Sequence, residues 1–546
     1  MKAVETIIAS AASGAVALCA ASVFTLCAGL PTPARADVTD ELLEIMKTKG
    51  DLTEEQYKSL KARHQKEKTD AARKPKAKPD DTVPVALKKA PDYADMPPPP
   101  ADALSTSYVT ALPKGVGIKI GSVEFLTKGD ISFFAIEDTQ QNRFVPIDGA
   151  LLPSGKVNDA FAVRGGLLPS SLQFEVRTNQ EGFDIAAHFS MYVGGNDIFA
   201  GEFNQQLPGS PVGLGTPGVD FRQVYGTVGT PTMGTWKFGR DLGLFAGDAI
   251  LFDATLFGAG TPGNNAMPGN TTLGRIGIGY VYADWIPQIT WTSPDLYGFT
   301  FSAGIFTPLE ATDIGDTLFT RTLAASATIT GQDAPMVQWK LKYVGNLGGD
   351  ACGLKDTACA EGLKLTAWTS GVYQDHQVER GDLIIDQRPG YSITSWGVDG
   401  GIKLDWAGFS FVAYGYTGDG LGTTGLFWNA VSINGQTRTS DGGYVQGSYT
   451  WDRFTFGGSW GVSNLDRNTC DLTYGCGLGI VGPLDPVTLQ KQINSEIGFV
   501  RYKLTDWVQF QGEYVHTEQQ NYANCASYVG CRIYNDAIIG GTTFFW

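Results

Sequence analysis

The sequence predicts an all-β chain closed into a transmembrane barrel of about 16 antiparallel strands. Three observations carry that expectation. Apolar and polar residues alternate with period two from about Gly117 to the last residue. Tight connections take turns with long ones. The composition also suits many short strands, with 69 glycines and 11% aromatic residues against 18% charged ones, fewer than the roughly 25% of a typical soluble protein.

The alternation is plainest from Leu172 to Met191, LQFEVRTNQEGFDIAAHFSM. Leu172, Phe174 and Val176 alternate with Gln173, Glu175 and Arg177. Beyond a polar turn, Phe183, Ile185, Ala187, Phe189 and Met191 alternate with Asp184, Ala186, His188 and Ser190. That is an antiparallel hairpin with one oily and one wet face. The pattern returns at Val337–Tyr343, at Trp396–Leu404 and at Phe454–Val462. Connectors such as TNQEG, TSPDLYG, DWAG, WDR and LTDW are tight, and 194–218, 242–284, 308–333, 419–441 and 464–490 are long. The connection at 345–361 is the exception, being longish on the short-turn rim. Short turns on one rim and long loops on the other fit an outer-membrane barrel, whereas a soluble sandwich has no reason to sort its loops. The oily face then meets lipid and the wet face a water-filled lumen.

Four segments follow from composition. Residues 1–36 are a signal peptide: Ile7 to Leu30 carries no charge, and Ala34-Arg35-Ala36 is a small-x-small cleavage site. An uncleaved anchor is the alternative. Residues 37–70 are helical, with Leu42, Leu43 and Met46 on one side and Gly50 as a stop. Thr53-Glu54-Glu55-Gln56 forms a capping box and Leu52 with Tyr57 its hydrophobic staple. Short helices are marginal alone, so the stripe favours self-association into a periplasmic coiled coil; a peptidoglycan-facing or disordered spacer is the alternative. Residues 71–114 are a Pro/Lys/Asp linker that cannot pack a core. Residues 115–546 are the barrel.

The formal charge of −15 argues against a nucleic-acid partner, which needs a basic footprint. Two of the eight cysteines lie in the signal. The others form the local pairs Cys352 with Cys359, Cys470 with Cys476 and Cys525 with Cys531, each in a connection rich in Gly, Asn or Asp. Their spacing suits disulfides in an oxidising compartment rather than metal ligation. No cofactor or metal is expected. Gly457-Gly458-Ser459-Trp460-Gly461 matches G-x-S-x-G but sits mid-strand, where a nucleophile elbow cannot form. His64, His188, His376 and His516 have no ligand spacing, and Gly155-Lys156 lacks the rest of a phosphate loop.

The stretch GTWKFGRDLGLFAGDAILFDATLFGAG, Gly234 to Gly260, resembles the strand and inward loop of trimeric Gram-negative porins. Arg275 to Phe306 and the terminal FFW are similar in kind, and the helical extension resembles that of DcaP-like and phosphate-selective porins. The resemblance implies an outer-membrane homotrimer in contact with lipid and lipopolysaccharide, passing small hydrophilic solutes. It makes Arg240 a pore-wall arginine, with Asp248 and Asp253 as acids of the constriction loop. Strand parity from Trp236 and Phe238 asks for a bulge or strand end at Arg240 if that side chain is to face inward. Parity turns inward Arg177, Arg222, Lys237, Lys340, Lys342, Lys364, Lys403, Arg501 and Lys503, against Glu175, Asp184, Asp399 and Glu513. The expected channel therefore prefers small anions; the alternatives are a carbohydrate-type or non-selective porin, or a barrel whose long loops serve adhesion or surface scaffolding.

Overall fold

A computed structural model describes 109–112 and, between 115 and 546, all residues except 141–144, 153–158, 194–218, 264, 266–270, 313–327, 348–361, 380–381, 383–390, 433, 473–487 and 527–529. The predicted signal, helices and most of the linker lie outside the described residues, as do Cys352, Cys359 and Cys476.

Sixteen strands close into one antiparallel barrel. They are β1 Val123–Gln140, β2 Ser170–Gln180, β3 Phe183–Val193, β4 Val219–Thr230, β5 Gly234–Leu242, β6 Trp285–Thr292, β7 Phe299–Phe306 and β8 Met336–Leu347. The second half is β9 Leu363–Gln377, β10 Ser392–Trp406, β11 Phe409–Asp419, β12 Thr439–Trp451, β13 Phe454–Leu465, β14 Gln490–Lys503, β15 Val508–Asn521 and β16 Arg532–Phe545. Each strand pairs with the next, and β16 closes on β1 from Asn535 opposite Gln140 down to Phe545 opposite Asp130. Among the described residues closure gives each of the sixteen wall strands a partner on both sides, a requirement for backbone inside a bilayer.

The period-two pattern sorts the two faces as the sequence predicts. Phe174, Ile185, Phe189, Phe301, Leu341, Trp396, Ile402, Phe411 and Phe456 are exposed on the outer face. Their neighbours Ser190, Ser370 and Ser495 are buried on the inner one. The tight turns lie on one rim, and two of them show why those residues are there. Glu181 with Gly182 and Ala407 with Gly408 both take positive φ, the two-residue hairpin geometry that matches strand twist. The long connections after β5, β11 and β13 leave from the opposite rim, as expected.

One strand departs from the pattern. Ala160–Arg164 and β2 both pair with β1, so they form a single wall strand interrupted at 165–169. Through the gap Leu167 donates to the Gly258 carbonyl at 2.9 Å. A Cβ on Gly166 would lie 2.1 Å from that oxygen, so only glycine fits. The strand breaks where a loop from inside the barrel meets the wall.

Of the three predicted disulfides, Cys525–Cys531 is formed in the connection between β15 and β16. Cys470 is also disulfide-bonded.

Leu341 faces outward near mid-height of β8, so Leu341→Arg should destabilise the barrel by about 2–4 kcal/mol. Thr227→Arg, facing the lumen on β4, should cost clearly less, because the charge stays in water. Urea titrations of refolding into lipid vesicles check the contrast.

Candidate permeation channel

Inside the wall lies the connection from β5 to β6. Its base is closed by Gly243 donating to the Asp284 carbonyl at 2.9 Å. It carries one short helix, α1 (Gly247–Phe252). The loop is fixed by inward side chains of successive wall strands, because a buried loop must find partners for every backbone polar group. On β8, Gln338 Oε1 accepts from Leu244 and Phe245 at 2.7 and 3.0 Å. On β10, Asp399 accepts from Ala246 at 2.9 Å, and also from Ser370 and Tyr414. On β12, Tyr444 donates to the Ala249 carbonyl, and Gln446 bridges Phe252 and Ala254. On β14, Arg501 donates to the Ala254 carbonyl. On β15, Glu513 accepts from Ala259 and Gly260 at 3.2 and 2.7 Å.

The returning half of the loop brings its own charge. Arg275 has no exposed surface. It donates to Ser459 Oγ at 2.7 Å and Ser495 Oγ at 3.1 Å, with longer contacts to the carbonyls of Ile278 and Ser495. Among the described residues no carboxylate is in ion-pair contact with it. Burial pulls the guanidinium down to about 10, against the attraction of Asp253, so it stays charged at neutral pH. Ser459, the serine of the G-x-S-x-G match, is thus a mid-strand acceptor for this arginine, hydrogen-bonded inside the wall.

Asp248 and Asp253, expected as constriction acids, both lie in this loop but do different things. Asp248 is 1% exposed and lies 2.8 Å from Lys340 Nζ and 2.5 Å from Lys342 Nζ. Burial works against its charge, but the two ammonium groups outweigh it and hold the carboxyl below its ordinary value. Asp253 is used inside the loop, accepting from Thr255 and from the Tyr280 hydroxyl at 2.9 Å. Phe252 completes the contact: Lys342 and Lys403 stand 5.1 and 5.7 Å from its ring, and Trp368 packs against it. Leu251 and Phe257 remain exposed along the loop.

The predicted wall cations carry acids that the parity count left out. Lys237 pairs with Asp241, Arg222 with Asp220 and Lys403 with Asp405, while Arg177 pairs with Glu175. These partners were within reach of the sequence: residues two or four apart on a strand share a face, so Asp405, Asp220 and Asp241 follow from their lysines and arginine. Lys503 and Asp184 sit at the short-turn rim, bonded to Asp506 and Asn179. The anchoring roles of Gln338, Gln446 and Arg275 have no comparable sequence signal.

Arg240 corrects the sequence reading. Its register partners are Val224 and Pro287, with no shift in pairing, so it keeps the outward parity of Trp236 and Phe238. Gly239 takes φ +131 without flipping the strand. The guanidinium donates to the Trp285 carbonyl at 3.0 Å and approaches Asp220 at 3.8 Å.

Neither a family profile nor a curated protein sequence matches this chain. Solved structures do. The outer membrane channel DcaP of Acinetobacter baumannii is similar at TM-score 0.51 and 11% identity, covering 80% of this chain and 99% of that one. Salmonella typhi OmpF in complex with daunomycin matches at 0.43 and 11%, over 78% of this chain and 98% of its own. Vibrio cholerae OmpT matches at 0.40 and 12%, over 78% and 98%. Of the three, the DcaP superposition carries the comparison. The fold is that of an outer-membrane porin. Within that porin fold the pinned loop between β5 and β6 narrows the lumen.

Two outcomes test these contacts. Asp399→Ala removes the acceptor of the Ala246 N–H and should loosen the loop by about 1–3 kcal/mol, raising single-channel current noise while the barrel still refolds. Because the folded-state value of Asp248 is depressed, its clamp is complete above the ordinary carboxylate range and is lost only as pH falls below about 4. The current difference between wild type and Asp248→Asn should therefore stay constant from pH 7 to pH 5.

Proposed function

We propose that this chain forms a water-filled channel in the outer membrane of a Gram-negative bacterium for passive diffusion of small hydrophilic solutes, with a preference for anions. Lumen-facing charges and a pinned loop in a closed barrel suit selection at a constriction, where low-dielectric walls focus local charge.

The observation that carries the anion preference is the wall opposite α1. Lys340, Lys342, Lys364 and Lys403 share the inner face of β8, β9 and β10, and the acids there are Asp248 of the loop with Asp399 and Asp405 of β10. Four cations against three carboxylates leave one positive charge in excess. Lys340, Lys342 and Lys403 each keep between 18% and 26% of their side chain open. Around β2 to β5 the pairs Arg177–Glu175, Arg222–Asp220 and Lys237–Asp241 are one for one. The excess is local and small, so the preference is modest. The overall charge of −15 acts from farther away and is screened within about 8 Å at physiological salt.

The proposed assembly is a homotrimer, supported by the apolar stripe of the 37–70 segment; native mass spectrometry of the full-length protein should give three chains, and a monomer would contradict it. Lipid, lipopolysaccharide and peptidoglycan are its proposed surroundings.

Reversal potentials across a planar bilayer under a tenfold salt gradient test the selectivity. The wild type should reverse on the anion side. Lys340→Ala with Lys403→Ala should move it toward zero, and Asp248→Asn should move it further toward anions. Cation selectivity in the wild type would contradict the assignment.

A further inference from the structure

A second connection folds into the lumen on its long-loop side. Leu421, Phe427, Ala430 and Val431, between β11 and β12, are buried with Phe245, Ala246 and Ala249 of the inward loop. The same cluster includes Val372 and Ile393 of the wall. Val372 is on the inner face of β9, since its neighbour Tyr373 is exposed outside. The Tyr282 N–H of the inward loop donates to the Thr424 carbonyl at 2.8 Å. The connection is thus a lid packed against the loop that carries α1.

One short segment ties this lid to the wall. The Thr312 N–H donates to the Phe427 carbonyl, and the Ala430 N–H to the Thr312 carbonyl, both at 3.0 Å. Three residues earlier, Leu309 is clamped by Gln374 of β9. Its N–H donates to Oε1 at 3.0 Å and its carbonyl accepts from Nε2 at 2.6 Å. Those two bonds fix which end of the amide is which. Gln374 Nε2 also lies 2.9 Å from His376 Nδ1. Because Nε2 is a donor, Nδ1 must accept, and the ring is neutral with its proton on Nε2. Gln374 and His376 have no exposed surface, and the imidazole stands perpendicular to the Phe427 ring of the lid, with centroids 4.7 Å apart.

A proton on Nδ1 would turn this contact into donor against donor and put a cation in a pocket without water. The neighbouring elements offer it no carboxylate. β10 presents Ile393, the 307–312 segment Leu309 and the lid Phe427. Glu310 is exposed to solvent. Asp375 acts on the ring from the next position of β9, but it accepts from the Tyr373 hydroxyl and from Thr394. The Leu309 carbonyl also acts on the ring, so a protonated Nδ1 would compete with Gln374 for that acceptor. Either way the clamp on Leu309 is broken.

We propose that His376 is a proton-operated release for the lid. The neutral ring keeps the 420–438 connection closed on the inward loop, and the charged ring frees it and widens the long-loop side of the channel. The proposal rests on the channel reading above and adds its regulation.

Hydrogen exchange and single-channel recording of the full-length protein in lipid test it together. One proton taken up only by the open lid shifts the open-to-closed ratio by up to about tenfold per pH unit below the ordinary histidine range. From pH 7 to pH 5 the Thr312 and Ala430 amides should lose roughly tenfold of their protection, after division by the intrinsic pH effect. Conductance should rise over the same interval. His376→Gln has no proton to take up and should lose both responses. Gln374→Ala cuts the tie to Leu309 and should be open at both pH values, which keeps the test decisive if His376→Gln does not refold. Unchanged protection in the wild type, or the same loss in His376→Gln, would overturn the release. Lost protection with unchanged conductance would overturn the lid. A protein that conducts at neither pH would overturn the channel reading, while exchange still decides the release.

Discussion

Backbone hydrogen bonding in a medium without water is the constraint on which the rest of this structure depends. Each unpaired N–H or C=O in hydrocarbon costs several kcal/mol, so the wall has to close, and it does so where β16 meets β1 over Asn535 to Phe545. Closure then makes everything else two-sided. Every wall residue faces either out or in, and one residue of register slip would exchange the faces. Lipid-facing apolar side chains supply the outer face, and the inner one combines polar pairing with apolar packing on the loop, as where Trp368 and Val372 meet the cluster around Phe245.

The same accounting governs the inward loop. A chain segment placed in the lumen loses water on the side that meets the wall. Its N–H and C=O groups must then be met by side chains. Asp399 and Glu513 on the wall accept from the loop backbone at Ala246, Ala259 and Gly260. Gln338, Tyr444, Gln446 and Arg501 meet further loop groups. Acids that parity presents as pore charges are therefore structural as well, accepting from loop amides while they keep their charge. The cations that remain beside α1 are left in local excess. The charge of a lumen cannot be read by counting inward wall residues until the loop's own charges, such as Asp248 and Arg275, are counted with them.

Much of the fold was legible because a barrel repeats one rule. Leu172 to Met191 gave a hairpin whose two strands, β2 and β3, are joined at Glu181-Gly182. The sorting of short and long connections gave the two rims. What was missed is where the rule is broken or extended into three dimensions. The gap at 165–169 reflects the approach of Gly258 to Gly166, a contact between distant segments that no local pattern encodes. Arg240 followed parity rather than likeness, because Gly239 absorbs an unusual φ without adding a residue to the strand. Arg275 is buried among serines of β13 and β14, and an arginine in a long loop has no sequence feature announcing that. Asp220, Asp241 and Asp405 were legible and were left out, each sharing a strand face with the cation it neutralises.

The central proposal is a solute path through the barrel, narrowed by the loop that is pinned to its inner wall. Swelling of proteoliposomes in sugars of increasing size tests it most directly, comparing the wild type with a chain in which 247–257 is replaced by a short Gly-Ser bridge. The account predicts a sharp size limit in the wild type and admission of larger sugars by the shortened loop. An identical limit in both proteins, or no swelling in either, would contradict it.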